Sequence, residues 1–440
     1  MFVKIIQSIS GIRESKVARN SAAIIAGKII QMVLSFIISI FSARYLGPGN
    51  FGIIGYAAAV VTFLIPVANL GLSSIMAYEC IHDPKAEGEI FGTAVFMRLM
   101  SGILCVLGTI AFSAFFDTGE MTTKLVLVLY STELLFKSFE IFESWFQIHY
   151  ISKYTAISTF IAYIVVSIYK IYLLATGAKV TWFALAMALD YFVLSFLYFI
   201  FYKVNGGQKL TISTERAKHL WMRGKSFIIS GLMVAVYLQT DKIMLKNMLS
   251  ETEVGYYTLS SSLITYWAFV LAAIINATTP VILEYFEVDK SKFEKALVGR
   301  YSLIFYLCMT VAIIIFVLIK PVILVLYGDA YLPACGIARV LTFGSLFTYW
   351  GVAKGDWFVA TNNQRYVKWL SFSGAVINVV LNYILIKSIG VIGAAAATVF
   401  SEMTVNFITS IFIKDIRISS IYMLKSINPK SLKNIKLLLK

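Results

Sequence analysis

The feature that most constrains this chain is the spacing of its apolar runs. They lie near 20–43, 51–76, 90–116, 122–146, 154–175 and 181–202 and, after a polar break from Lys203 to Lys225, near 226–247, 254–284, 297–319, 335–360, 366–387 and 391–413. Each is long enough to cross the hydrocarbon core of a bilayer, which takes about 20 residues of helix. A segment in lipid must satisfy its own backbone amides, and no run alternates as a barrel strand does, so all twelve are expected to be α-helices. Composition points the same way. The chain is 59% apolar and 14% charged, whereas a soluble domain is about 45–50% apolar and about 25% charged. The expected class is an all-α integral membrane protein, with loops too short to hold a separate catalytic domain. Its parts are a segment 1–20, a first lobe of six helices 21–202, a basic linker 203–225, a second lobe 226–413 and a basic tail 414–440.

A net charge of +15 would suggest nucleic acid in a soluble protein, but here it first has to be tested as membrane-orienting charge. Twenty-five Lys and Arg fall on the side of the termini and even-numbered loops, with Arg300 counted at the edge of one loop. Only Arg44, Lys124, Lys179, Lys246, Lys320 and Lys387 fall opposite. The positive-inside rule therefore places both termini in the cytoplasm, and no nucleic-acid partner is expected. The apolar run after Lys4, Arg13, Lys16 and Arg19 is too long for a signal h-region, so the amino terminus is expected to stay uncleaved. For the tail, with Lys425, Lys430, Lys433, Lys436 and Lys440 among Leu and Ile, two readings stand equal: a basic amphipathic segment along the anionic inner leaflet, or a disordered topogenic tail. Cys80, Cys105, Cys308 and Cys335 have no C-x-x-C spacing and read as small apolar fillers, and His82, His149 and His219 read as isolated.

The two halves echo one another. Leu46 to Gly52 reads LGPGNFG and Leu249 to Gly255 reads LSETEVG, 203 residues on; Gly390 to Thr398, GVIGAAAAT, again resembles Gly52 to Val60, GIIGYAAAV. Recurrence of this kind suggests two six-helix bundles with a substrate path between them. Small residues that permit close helix packing would explain it equally well.

Polar residues inside the spans carry the chemistry, because each costs free energy unless a partner or a wet cavity offsets it. Lys28 and Gln31 share a face of the first span. In the fourth, Glu133, Lys137 and Glu140 form a stripe in which Glu133 one turn before Lys137 favours a structural ion pair. In the seventh, Ser226, Ser230, Tyr237 and Asp241 share a face with Lys242 alongside, where local pairing of Lys242 with Asp241 competes with a functional role. Arg98, Asp190, Arg339 and Lys354 complete the set. Lys28, Arg98, Lys137, Lys242, Arg339 and Lys354 together would make a cationic interior suited to a phosphate-bearing ligand. Snorkelling at a span end is the competing account of Arg339 and Lys354. Pro66 and Pro280 mark possible bends.

With these residues the chain resembles the polysaccharide flippases of the O-antigen (Wzx) type, in the superfamily that includes the MATE exporters and lipid II flippases. The resemblance rests on ARYLGPGNFG (Ala43 to Gly52), AYE ending at Glu79, YLQTDKIML (Tyr237 to Leu245), EVGYYTLSSSL (Glu253 to Leu263), ATTP closing at Pro280, VILVLYGDAYLPA (Val322 to Ala334) and INVVLNYILIKSIGVIGAAAAT (Ile377 to Thr398). It covers nearly the whole chain in order. It implies a MATE-like fold of two six-helix lobes in the bacterial cytoplasmic (inner) membrane, working by alternating access. The implied activity is movement of a lipid-diphosphate-linked oligosaccharide from the inner to the outer leaflet, without catalysis. Membrane lipids and other polysaccharide-assembly proteins are the further partners. The family pattern places an aspartate in the seventh span, matched by Asp241, and a cationic lumen, matched by Lys28, Arg98 and Lys242. No bound cofactor is expected. Coupling to a proton or sodium gradient would fall to Asp241, Glu133 or Glu140. Two other classes stand beside this reading: a MATE-type cation or drug antiporter, which would prefer an acidic cavity, and a membrane polymerase or ligase, which would need a sizeable outer loop or an acid/base constellation.

Overall fold

The computed structural model describes residues 16–438 apart from 116 and 118, with side chains from residue 31 onward apart from 32. Lys4, Arg13 and the side chain of Lys28 lie outside the described residues. The helices are α1 (Lys16–Asn69), α2 (Met76–His82), α3 (Glu87–Phe115), α4 (121–148, in four pieces), α5 (Lys153–Ala175), α6 (Val180–Val204), α7 (Thr214–Met248), α8 (Glu251–Val288), α9 (Lys290–Leu326), α10 (Ala334–Ala360), α11 (Arg365–Ile389), α12 (Val391–Met403) and α13 (Arg417–Ser426). There is no strand among the described residues, as the apolar pattern requires.

The first two apolar runs meet inside α1 at Gly47, with φ 70° and ψ 169°. Only glycine takes that conformation at no steric cost, and the following Pro48 further disfavours helical geometry there. Among the described residues nine helices are long and apolar enough to cross a membrane, with Val33–Asn69 counted as one. The run near 122–146 is not among them because it is wound as Met121–Ser131, Glu133–Phe136, a 3-10 turn Lys137–Ile141 and Phe142–Ile148. The tenth run, α10, also falls short; it carries Arg339, Lys354 and Asp356. Large apolar side chains such as Leu104, Ile168, Ile313 and Trp369 are exposed, a surface suited to acyl chains and not to water. The chain is an all-α, multi-pass membrane protein.

Two compact bodies result. One takes in the chain to Tyr45 together with Leu64–Ile229, and the other Leu46–Phe63 together with Ser230 onward. The border thus falls inside α7, because the linker is docked on the first body. Thr211 N donates to Gly88 O at 3.3 Å and Gly88 N to Gln208 Oε1 at 2.9 Å. Arg216 pairs with Asp83 at 2.7 Å and Glu89 at 3.3 Å, and Arg223 with Glu79 at 2.6 Å. The histidines are not isolated here: His149 meets Glu87 at 2.8 Å and His219 meets Glu79 at 3.4 Å. The linker cations that the sequence assigns to topology also bind the acids around α2 and α3. Beneath them lies an aromatic core in which Phe142 packs on Phe91 at 5.8 Å and on Tyr202 at 4.7 Å between ring centroids.

In the second body the two repeated loops meet each other. A Cβ on Gly52 would stand 1.7 Å from Glu251 O, and one on Gly255 would stand 2.0 Å from Pro48 O. No other residue permits that approach of backbones. The core around Leu271, Tyr301, Trp350 and Trp357 extends to Met423 of the tail. The tail is ordered rather than disordered, because it is fixed on α9: Ser302 Oγ donates to Ser426 O and Tyr306 OH to Ile427 O, both at 2.7 Å.

Candidate functional site

In the first body the 3-10 winding of α4 governs the polar centre. A 3-10 turn stacks residues i and i+3, so Lys137 lies over Glu140, at 4.0 Å, rather than over Glu133. The expected Glu133–Lys137 pair is therefore replaced, and Glu133 is buried with Oε2 unpartnered among the described residues. Lys137 Nζ donates to the Tyr191 hydroxyl. Irregular winding also leaves carbonyls free for side chains. Ser195 Oγ donates to Phe136 O at 2.6 Å, and Arg98 Nη2 donates to Lys137 O at 2.9 Å. Arg98 is fully buried and also bonds Asn69 Oδ1; its nearest carboxylate is Glu140, at 3.9 Å and 31% exposed. Arg98 Nε and Nη1 have no partner among the described residues. A buried guanidinium with unused donors, facing a distant and partly solvated carboxylate, is arranged to accept a further anionic or polar group.

The second body centres on Asp241, which is 3% exposed. Its Oδ2 accepts from the Tyr257 hydroxyl and from Thr398 Oγ1 at 2.8 Å, and its Oδ1 from Asn382 Nδ2 at 3.0 Å. Asn382 Nδ2 also bonds Asn378 Oδ1 at 3.0 Å, and Asn382 Oδ1 is buried without a partner among the described residues. The pairing of Lys242 with Asp241 is not formed. Neighbours in a helix point apart, and Lys242 Nζ turns to Gln239 Oε1 at 3.2 Å. All hydrogen bonds to Asp241 therefore come from neutral groups, and a buried carboxylate so placed is stable either protonated or beside a bound cation. The carboxylate, the Tyr257 and Thr398 hydroxyls and the unpartnered Asn382 Oδ1 supply the oxygens that a hard cation prefers. No group of three or more His, Cys, Asp or Glu is placed to hold a metal among the described residues.

The remaining predicted cations do not gather with these. Lys354 is 1% exposed, with Nζ on Ser410 Oγ and on Asn406 O at 3.3 Å. That carbonyl lies in a π-helical turn, Thr404–Ile408, following α12, where a backbone oxygen is released from the regular ladder. Arg339 donates to Phe316 O at 3.2 Å and stacks 4.9 Å over its exposed ring, which is the snorkelling alternative. Gln31 is half-buried on α1. Arg98, Lys137, Glu133 and Glu140 thus form one centre and Asp241 another, whereas Lys242, Lys354 and Arg339 are each engaged elsewhere.

A family model described as "Polysaccharide biosynthesis protein" matches residues 17–286. The chain belongs to this family. No curated protein matches by sequence. Among solved structures the fold is similar to that of "Lipid II flippase MurJ, inward closed conformation", at 14% identity and TM-score 0.73, over 95% of this chain and 90% of that one. It is also similar to an inward-facing multidrug resistance MATE family transporter, at 16% identity and TM-score 0.68, over 92% of this chain and 95% of that one. The MATE-like fold implied by the sequence is therefore present.

Sequence reasoning on this family member missed one centre. Arg300, counted there as a loop charge, is fully buried in α9. Its Nη1 meets Asp356 Oδ2 at 2.6 Å, and its Nη2 donates to Ala353 O at 2.5 Å. The signal available was its place, 202 residues after Arg98, within one residue of the repeat of the glycine loops. Asn378 and Asn382, four residues apart in INVVLNY, were likewise on the page as a one-face pair.

Proposed function

We propose that this protein is a flippase that moves a polyprenyl-diphosphate-linked oligosaccharide from the cytoplasmic to the outer leaflet by alternating access, supplying O-antigen or capsule assembly. The membrane is the bacterial inner membrane with both termini in the cytoplasm, and the work is transport without bond chemistry. The observation that carries the reading is the Arg98 centre, a buried guanidinium with two unused donor nitrogens beside Lys137. Family membership and a fold like that of a lipid II flippase support it. A diphosphate headgroup cannot enter hydrocarbon unaided, and a charge-assisted site inside the protein offsets that cost while the lipid tail stays in the bilayer. Asp241 with Thr398, Asn378 and Asn382 is the proposed coupling site for a proton or sodium ion. Its occupancy sets whether an uncompensated charge is buried, which gives an ion gradient a direct hold on the second body.

The test is transfer of a fluorescent polyprenyl-diphosphate oligosaccharide in proteoliposomes, read by protection from an impermeant quencher with and without an imposed gradient. Transfer that needs protein and falls with Arg98→Gln supports the reading. Export of organic cations with no lipid transfer would move the assignment to a MATE-type antiporter, and covalent extension of the sugar would move it to an enzyme.

A further inference from the structure

The fixed tail forms one wall of a cavity of about 690 Å3 at the Lys290 end of α9. Lys295 and Val298 come from α9, Lys425 and Leu424 from α13, and Asn428, Lys430, Ser431 and Asn434 from the segment that follows. The walls are held rather than draped. Besides the Ser302 and Tyr306 bonds, Tyr285 OH donates to Leu437 O at 3.3 Å, and Gly299 lacks the Cβ that would stand 2.8 Å from the Asn434 carbonyl carbon. Ser431 Oγ is tied to Lys425 O at 2.7 Å and Lys430 N to Asn428 Oδ1 at 3.0 Å. Glu294 also lines the cavity, so one carboxylate stands against three lysines there. Lys425 Nζ stands 5.7 Å over the Tyr422 ring, a contact that leaves its charge available.

We propose that this cavity binds the phosphate headgroup of an anionic membrane lipid, with Lys295, Lys425 and Lys430 taking the charge and the side-chain amides of Asn428 and Asn434 its remaining oxygens. Three lysines lining one cavity, with neutral amides beside them, suit a phosphate diester, and the apolar Leu424 and Val298 suit the start of its acyl region. The site shares no residue with the Arg98 and Asp241 centres and does not depend on what is transported. It gives the tail a role beyond topology: the protein would be fastened to the leaflet that carries the basic loops through a formed headgroup site rather than through diffuse charge.

The experiment titrates the purified full-length protein in neutral detergent with dihexanoyl phosphatidylglycerol, with dihexanoyl phosphatidylcholine and inorganic phosphate as separate arms, read by native mass spectrometry. The expected result is saturable phosphatidylglycerol binding that K295Q/K425Q/K430Q weakens by at least about tenfold, taking about 1 kcal/mol for each lysine near a charged lipid surface. The control K203Q/K209Q/K218Q removes the same charge from the linker and is expected to leave binding within about twofold, on the view that specific contacts outweigh screened surface charge. Equal loss in both triples would overturn the proposal, as would equal binding of the two lipids. Saturation by inorganic phosphate with no gain from the glycerol lipid would overturn the lipid source and leave a free-anion site. All three lysines are exposed, so the variant is expected to unfold at the wild-type temperature, and Ser431→Leu, which fills the cavity without altering charge, is expected to give the same loss.

Discussion

Arg98 and Arg300 occupy matching places in the two bodies and are finished differently. Each lies buried on the next long helix after the one bearing a glycine loop, α3 after α1 with the short α2 between and α9 after α8. Each donates to a carbonyl and faces a carboxylate three residues further along the following helix: Lys137 O and Glu140 for Arg98, Ala353 O and Asp356 for Arg300. A side-chain oxygen from the glycine-loop helix completes both, from Asn69 of α1 for Arg98 and from Thr279 of α8 for Arg300. In the second body the carboxylate closes to 2.6 Å and only Nε is unpartnered. In the first it stands at 3.9 Å, and Nε and Nη1 are both unpartnered. One arrangement is closed as a staple in the second body and left open in the first, where the proposed headgroup site lies. What separates them is the winding of the helix carrying the acid, regular in α10 and 3-10 in α4.

The largest expected effect comes from breaking the closed copy. Asp356→Ala leaves a buried guanidinium without its counter-charge, a loss of about 3–5 kcal/mol, so the thermal midpoint in detergent should drop far more than for Glu140→Ala, whose partner lies at 3.9 Å. Equal drops would show that the two copies do the same work. Next comes transport. Arg98→Gln should lower transfer of the lipid-linked sugar by at least about tenfold, equivalent to about 1.4 kcal/mol, while the protein stays folded. If the variant is as fast as wild type, the open copy is not a receptor. Asp241→Asn should retain transfer in the absence of a gradient but lose its acceleration by one, because an amide at this place is neutral throughout; a variant still accelerated would remove Asp241 from coupling.

How much of this was legible in the sequence follows from what each signal depends on. The helical class is written in the apolar runs, because lipid allows little else, whereas the joining of two runs in α1 and the broken winding of α4 are not. The glycine loops gave the repeat, and the structure adds that Gly52 and Gly255 meet. The polar stripe of α4 was visible, but its partners were not, because 3-10 winding changes which residues stack and nothing in ELLFKSFEI announces it. Arg300 was misplaced for a related reason: a basic residue near a span end reads as topology, and only the buried Asp356 on another helix reveals the staple. The tail was legible as basic and amphipathic, but what covers it is α9, through bonds to backbone carbonyls that no side-chain pattern records.

The smallest effect contrasts these buried pairs with a surface one. Asp415 lies at an exposed turn beyond α12, where the Tyr366 hydroxyl and then Arg365, at 3.1 Å, hold its carboxyl below the usual carboxylate value. A depressed folded-state value means that the group contributes stability while ionised. That contribution is fully present above the unfolded-chain value of about 3.9 and is lost as pH falls through the lower folded value. The thermal midpoint of the wild type should therefore fall slightly more steeply than that of Asp415→Asn over this acidic range, and the two should run parallel near neutrality. Water and salt screen such a pair, so the difference should shrink as ionic strength rises, whereas the deficit caused by Asp356→Ala, set by a guanidinium sealed from solvent, should not. A salt-sensitive deficit at Asp356 would mean that water reaches the staple, and the distinction between a closed copy and an open one would have to be given up.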